Sequence, residues 1–137
     1  MAFQFFLILF LIFAFFAPFL MLLQRLFYNR SGKSCYEGLV SFIIPAYNEG
    51  VHIERVIRSI FNLNYKNLEV IVVNDFSKDN TLEILKKLSK KFKLKIIENK
   101  KNLGKSASLN KAVEFAKGDI LFFVDADTLI NKLAFDD

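Results

Sequence analysis

Hydrophobic positions fall into two regimes along the chain. Over residues 1–23 they are continuous, with Gln4 as the polar exception, and such a stretch is long enough to cross about 30 Å of hydrocarbon. The pattern predicts a transmembrane anchor over residues 1–28. Beyond it, short apolar runs alternate with segments of helical spacing. Residues 39–44 form a β-rich run closed by Pro45; Ile53, Val56, Ile57, Ile60 and Phe61 then recur with the period of one helix face. A second strand is predicted over 68–73, and Asp79 or Asn80 offers an N-cap to a helix carrying Ile84, Leu85, Leu88 and Phe92. A third, weaker strand covers 94–97. Gly104 precedes a helix whose apolar side is Leu109, Ala112, Val113 and Ala116, and Gly118 marks its stop. Residues 120–124 are the fourth strand, and their unbroken run of aromatic and aliphatic side chains predicts burial on both faces.

Strands separated by helices imply βαβ crossovers, hence an α/β fold with a mainly parallel sheet covered on both sides. Ligands of such sheets bind at the carboxyl ends of the strands. Three polar clusters fall on that rim, at 45–49, 74–79 and 125–127. Asp125 and Asp127, two apart, leave the same face of an extended strand and converge just past its end, which suits a hard divalent cation such as Mg²⁺ or Mn²⁺ held with substrate phosphates. The same Asp-Ala-Asp also reads as a polar turn after a strand. Tyr47 offers a flat face for a base and Asp75 an acceptor for a base or ribose, though each also reads as an ordinary loop residue. Lys105, at the start of a helix where free N–H groups favour an anion, suits a phosphate. A P-loop would need Gly at the position of Asn99, which excludes an ATPase of that type.

Charge and inventory narrow the classes further. Arg25, Arg30 and Lys33 follow the apolar stretch and nothing basic precedes it, so the expected placement is the cell membrane, single-pass, with the N-terminus outside and the following domain cytoplasmic. The lone Cys35 agrees with a reducing compartment, and residues 29–38 read as the linker to a domain over 39–137. Nine of the twenty residues from Lys86 to Lys105 are lysine, either a solvated face or a surface for anionic membrane lipid. The formal charge is +5, yet no nucleic-acid-binding module accompanies it. His52 is the single histidine, which excludes a His-based zinc site or catalytic triad.

Four blocks carry a family resemblance: VSFIIPAYNE at 40–49, VIVVNDFSKDNT at 70–81, NLGKSASLN at 102–110 and GDILFFVDADT at 118–128. Together they resemble the family 2 glycosyltransferases, and within them the membrane-bound polysaccharide synthases of the poly-N-acetylglucosamine type. The resemblance implies a GT-A fold, a nucleotide-sugar donor that is usually a UDP-sugar, and inverting transfer to a glycan acceptor assisted by Mg²⁺ or Mn²⁺. By position it implies that Pro45, Tyr47 and Glu49 form the first nucleotide-contacting loop and that Asp75 binds the base. It implies that Lys105 lies near the diphosphate and that Asp125 and Asp127 bind metal, with Asp125 also near the donor sugar or ribose. Asn74 stands where many relatives have Asp, and Phe76 where Gly is common, a change expected to be felt in that turn.

Nine residues follow Thr128, whereas the family places its general base well beyond the metal-binding pair. The expectation is therefore the donor-binding part of a transferase, with weak or no transfer by this polypeptide alone and a second polypeptide as one source of the remainder. The alternative is a non-catalytic module that keeps the nucleotide-sugar fold and acts by pairing with another membrane protein, or the remnant of a split or truncated synthase.

Overall fold

The computed structural model describes residues 4, 14, 16–23 and 36–132. The chain divides into two compact units, Met1–Cys35 and Tyr36–Asp137. In the first, residues 4, 14 and 16–23 are helical. No helix among the described residues is long and apolar enough to cross a membrane. The expected single-pass anchor over 1–28, and the membrane placement drawn from it, are corrected accordingly. Most of that stretch, and linker residues 29–35, lie outside the described residues.

The second unit is an α/β domain with four parallel strands: β1 (Val40–Ala46), β2 (Leu68–Asn74), β3 (Leu94–Glu98) and β4 (Ile120–Phe123), in the spatial order β3-β2-β1-β4. Three helices connect them: α1 (Ile53–Phe61), α2 (Thr81–Leu88) and α3 (Lys105–Val113). Alternate residues of the central strands serve opposite faces, as the pleat requires. Phe42, Ile44, Val70 and Val72 pack with Ile53, Val56, Ile57 and Ile60 of α1 and Leu85 and Leu88 of α2. Ile43, Ile71, Val73 and Ile97 pack on the other side against Ala112 and Leu109 of α3. Both faces of β1 and β2 are therefore covered, and each fully buried aliphatic side chain there contributes about 1.5–3 kcal/mol before chain entropy is set against it.

The fourth strand departs from expectation. It pairs with β1 alone and forms one edge of the sheet, leaving Ile120, Phe122 and Phe123 exposed by 40% or more. An apolar run reports strand character, but strand order decides burial, and β4 has no neighbour on its outer side among the described residues. Phe92, expected on α2, lies beyond its end and stacks on Phe61 with ring centroids 4.7 Å apart.

The connections run from β1 to β2 to β3 in one direction, and β4 then lies on the opposite side of β1. The strand order reverses between β1 and β4, and a crevice opens outside the carboxyl ends at such a point.

Candidate functional site

Loops from the carboxyl ends of β1 and β2 are laced together. The Asn48 N–H donates to Ser77 Oγ at 3.0 Å and the Lys78 N–H to Asn48 Oδ1 at 2.8 Å. The Glu49 N–H donates to Thr81 Oγ1 at 2.9 Å and the Gly50 N–H to Asp79 Oδ2 at 3.0 Å. Asp79 Oδ1 also accepts from the Thr81 N–H at 3.0 Å, so Asp79 satisfies the start of α2, while Asn80 occupies the N-cap position without a side-chain cap. Burial opposes ionisation of Asp79, but these donors outweigh it and hold the carboxyl below its ordinary value. The lacing keeps two residues in left-handed backbone, Asn48 at φ 57° and Phe76 at φ 62°. For Phe this costs about 1–2 kcal/mol. The turn thus forms with the φ a glycine takes freely, and the Lys78 ammonium lies 3.5 Å from the Phe76 ring centroid.

Asp75 is buried at 4% exposure at the end of β2. Its Oδ1 accepts from Asn99 Nδ2 and the Leu103 N–H, and its Oδ2 from the Gly104 N–H, each at 2.8 Å. Burial pushes this carboxyl up, and the donors pull it further down, for a net lowering from the ordinary aspartate value. Asp75 therefore ties the segment before α3 to the sheet.

On the other side of the crevice, Asp125 and Asp127 lie just past β4, in a turn closed by the Thr128 N–H donating to the Asp125 carbonyl at 3.0 Å, with Ala126 buried between them. They reach the same space by this turn rather than by strand alternation. Lys105 Nζ donates to Asp125 Oδ1 at 2.5 Å, and both side chains are more than half exposed. Asp127 meets only the Thr128 hydroxyl, at 3.4 Å, among the described residues.

The structure brings all the expected positions together. Pro45, Tyr47, Glu49, Asp75, Lys105, Asp125 and Asp127 line one cleft of about 250 Å³, with Ser108 and two alanines completing the wall. An adjoining hollow of about 400 Å³ shares Pro45, Lys105 and Asp125 and continues past Phe122 and Phe123. Sequence reasoning passed over Asn99, Ser108 and Lys111. Asn99 was findable, since it follows β3 on the same carboxyl rim; Ser108 stands one helical turn after Lys105, on the same face.

No group of three or more His, Cys, Asp or Glu side chains among the described residues could hold a metal by itself. Two exposed carboxylates on one cleft wall do fit Mg²⁺ or Mn²⁺ in the mode where one or two carboxylates share the ion with substrate phosphates.

Residues 41–135 match the pattern of glycosyl transferase family 2. The chain belongs to that family. It is similar to the poly-β-1,6-N-acetyl-D-glucosamine synthase of Staphylococcus epidermidis, with 33% identity over 79% of this chain and 26% of that protein. Among solved structures it resembles S. aureus TarS 1-349 in complex with UDP-GlcNAc, at 34% identity and TM-score 0.66 over 71% of this chain and 29% of that one. It also resembles the mannosyltransferase PcManGT of Pyrobaculum calidifontis in complex with GDP-Man and Mn²⁺, at 28% identity and TM-score 0.68 over 92% and 40% respectively. The chain thus spans about a quarter of the synthase's length. For a family 2 glycosyltransferase, the parallel α/β sheet seen here is the GT-A-like architecture.

Proposed function

We propose that the cleft holds the donor of a family 2 glycosyltransferase, a UDP-sugar bound with Mg²⁺ or Mn²⁺, for inverting transfer to a growing polysaccharide or other glycan. The observation that carries the reading is the convergence of Tyr47, Asp75, Lys105, Asp125 and Asp127 on one cleft at the switch point of the sheet. The UDP-GlcNAc complex of TarS and the GDP-Man and Mn²⁺ complex of PcManGT support it.

Each residue has a physical task in this reading. The exposed Tyr47 ring supplies a stacking face for the base. Asp75 is held by Asn99, Leu103 and Gly104, and the side of its carboxylate on the cleft wall is offered to the nucleoside. Asp125 and Asp127 hold the cation, which when bound neutralises charge developing on the leaving diphosphate. Lys105 exchanges its carboxylate partner for a phosphate oxygen. An ion pair this exposed is worth about 0–1 kcal/mol, so the exchange costs little. The acceptor hydroxyl must lose a proton to a base; the chain spans about a quarter of the synthase's length, and that base is proposed for the part not shared.

The test is calorimetric titration of UDP with and without Mn²⁺. Binding is expected to require the metal and to weaken at least about tenfold in Asp127→Ala, with the unfolding midpoint unchanged. Metal-independent binding that survives the substitution refutes the reading.

A further inference from the structure

We infer that Asn99 and Lys111 are positioning residues for the donor diphosphate, acting through Asp75; the inference rests on the donor-site reading above. Asn99 is 5% exposed, and its backbone is fixed to β2 by its N–H donating to the Asn74 carbonyl at 2.9 Å. Its side-chain amide is fully engaged. Nδ2 donates to Asp75 Oδ1 at 2.8 Å and to Ser108 Oγ at 3.0 Å, and Oδ1 accepts from Lys111 Nζ at 2.7 Å. Asp75 in turn holds the N–H groups of Leu103 and Gly104, immediately before Lys105.

Gly104 sits at φ 84° with open space where a Cβ would stand, and its N–H donates to Asp75 Oδ2 at 2.8 Å and to Asn102 Oδ1 at 3.0 Å. Polar bonds set its position, and with it the direction of the first turn of α3. The N–H groups of Lys105, Ser106 and Ala107 lie in that turn, where no intrahelical acceptor is available and an anion is favoured. Asp75, Lys105 and Ser108 form the cleft wall; Asn99 and Lys111 stand behind it. Loosening either should misplace the phosphate grip and leave the stacking face at Tyr47 untouched.

The full chain is titrated with UDP and with uridine by calorimetry, with Mn²⁺ at about 0.15 M salt to screen long-range charge. Asn99→Ala is expected to weaken UDP about tenfold, and uridine, which keeps the Tyr47 stack but loses alignment of the Asp75 acceptor, by no more than about threefold. Lys111→Met keeps the apolar stem and is expected to show the same pattern at about threefold for UDP. A purely structural role weakens both ligands alike, and that result, or no change for either, overturns the inference. If Asn99→Ala fails to fold, Lys111→Met decides. A wild-type chain that binds no UDP in Mn²⁺ refutes the donor-site reading and this inference with it, whereas tight wild-type binding with equal losses refutes this inference alone.

Discussion

Replacing Asp75 by Asn keeps size and shape and removes the charge. The carboxylate now accepts three bonds of 2.8 Å from Asn99, Leu103 and Gly104. In Asp75→Asn, one oxygen becomes an NH₂ group. Turned one way it faces the Gly104 N–H; turned the other it faces two donors, so the first arrangement wins, the bond to Gly104 is lost and that N–H keeps only Asn102 Oδ1, at 3.0 Å. A bond to a charged group is worth about 1.5–3 kcal/mol and a neutral one about 0.5–1.5. Losing one and weakening two therefore sums to about 3 kcal/mol after allowing for non-additivity. For a domain of about 100 residues this lowers Tm by roughly 12–20 °C. The assay is urea and thermal unfolding of both proteins without nucleotide.

The pH dependence carries the sharper test. The folded pKa of Asp75 lies below its unfolded value, so its stabilisation is complete above the ordinary range of about 4 and is lost as pH falls through the depressed folded value. The stability gap between wild type and Asp75→Asn should therefore be constant near neutrality and close below about pH 4. Glu69 and Asp79 are also lowered, but they are common to both proteins and cancel in the difference. A variant within about 0.5 kcal/mol of wild type at pH 7, or a gap that stays the same down to about pH 3, refutes the bonding pattern assigned to Asp75.

Two further perturbations probe the sheet. A Cβ at Gly118 would lie 2.6 Å from the Ser41 nitrogen and 2.7 Å from the Leu39 carbonyl oxygen. Because central strand β1 cannot give way, Gly118→Ala should cost about 2 kcal/mol in urea unfolding, and an unchanged midpoint refutes that close approach. On β4, Phe123 is 53% exposed on an edge that carries no charge or proline to discourage pairing. Phe123→Lys should reduce self-association in sedimentation velocity; the apolar N-terminal stretch is common to both proteins, so equal association in the two excludes β4 as the cause.

The sequence reported some features well because they are periodic. Ile53, Val56, Ile57 and Ile60 mark the buried face of α1, since a 3.6-residue repeat has one structural meaning. All seven expected rim residues share a cleft, since a parallel sheet gathers its carboxyl ends on one side. Other features depend on partners far away in the chain. The exposure of β4 follows from strand order, which no local pattern encodes, and the apolar stretch at the N-terminus gave no helix of spanning length among the described residues. Asp75 finds Asn99, Leu103 and Gly104 at separations of 24, 28 and 29 residues, too distant for any motif to connect.

The rim acids differ less in kind than in what they already hold. Asp75 and Asp79 accept backbone N–H groups from neighbouring loops, and their charge is committed to the fold before any ligand arrives. Asp125 and Asp127 flank buried Ala126 and are exposed, with one lysine ammonium and one hydroxyl as their side-chain partners among the described residues. An acid whose lone pairs are saturated by amides can orient a site but has little left to give a cation. An acid held by an exposed lysine can exchange that partner at a cost of about 0–1 kcal/mol. In the proposed donor site the two sides of the cleft would therefore divide the work, the β2 side fixing geometry and the β4 side keeping charge available. The consequence is an asymmetry in the variants: Asp75→Asn should lose stability even without ligand, whereas Asp127→Ala should lose metal-dependent binding and leave the unfolding curve where it was.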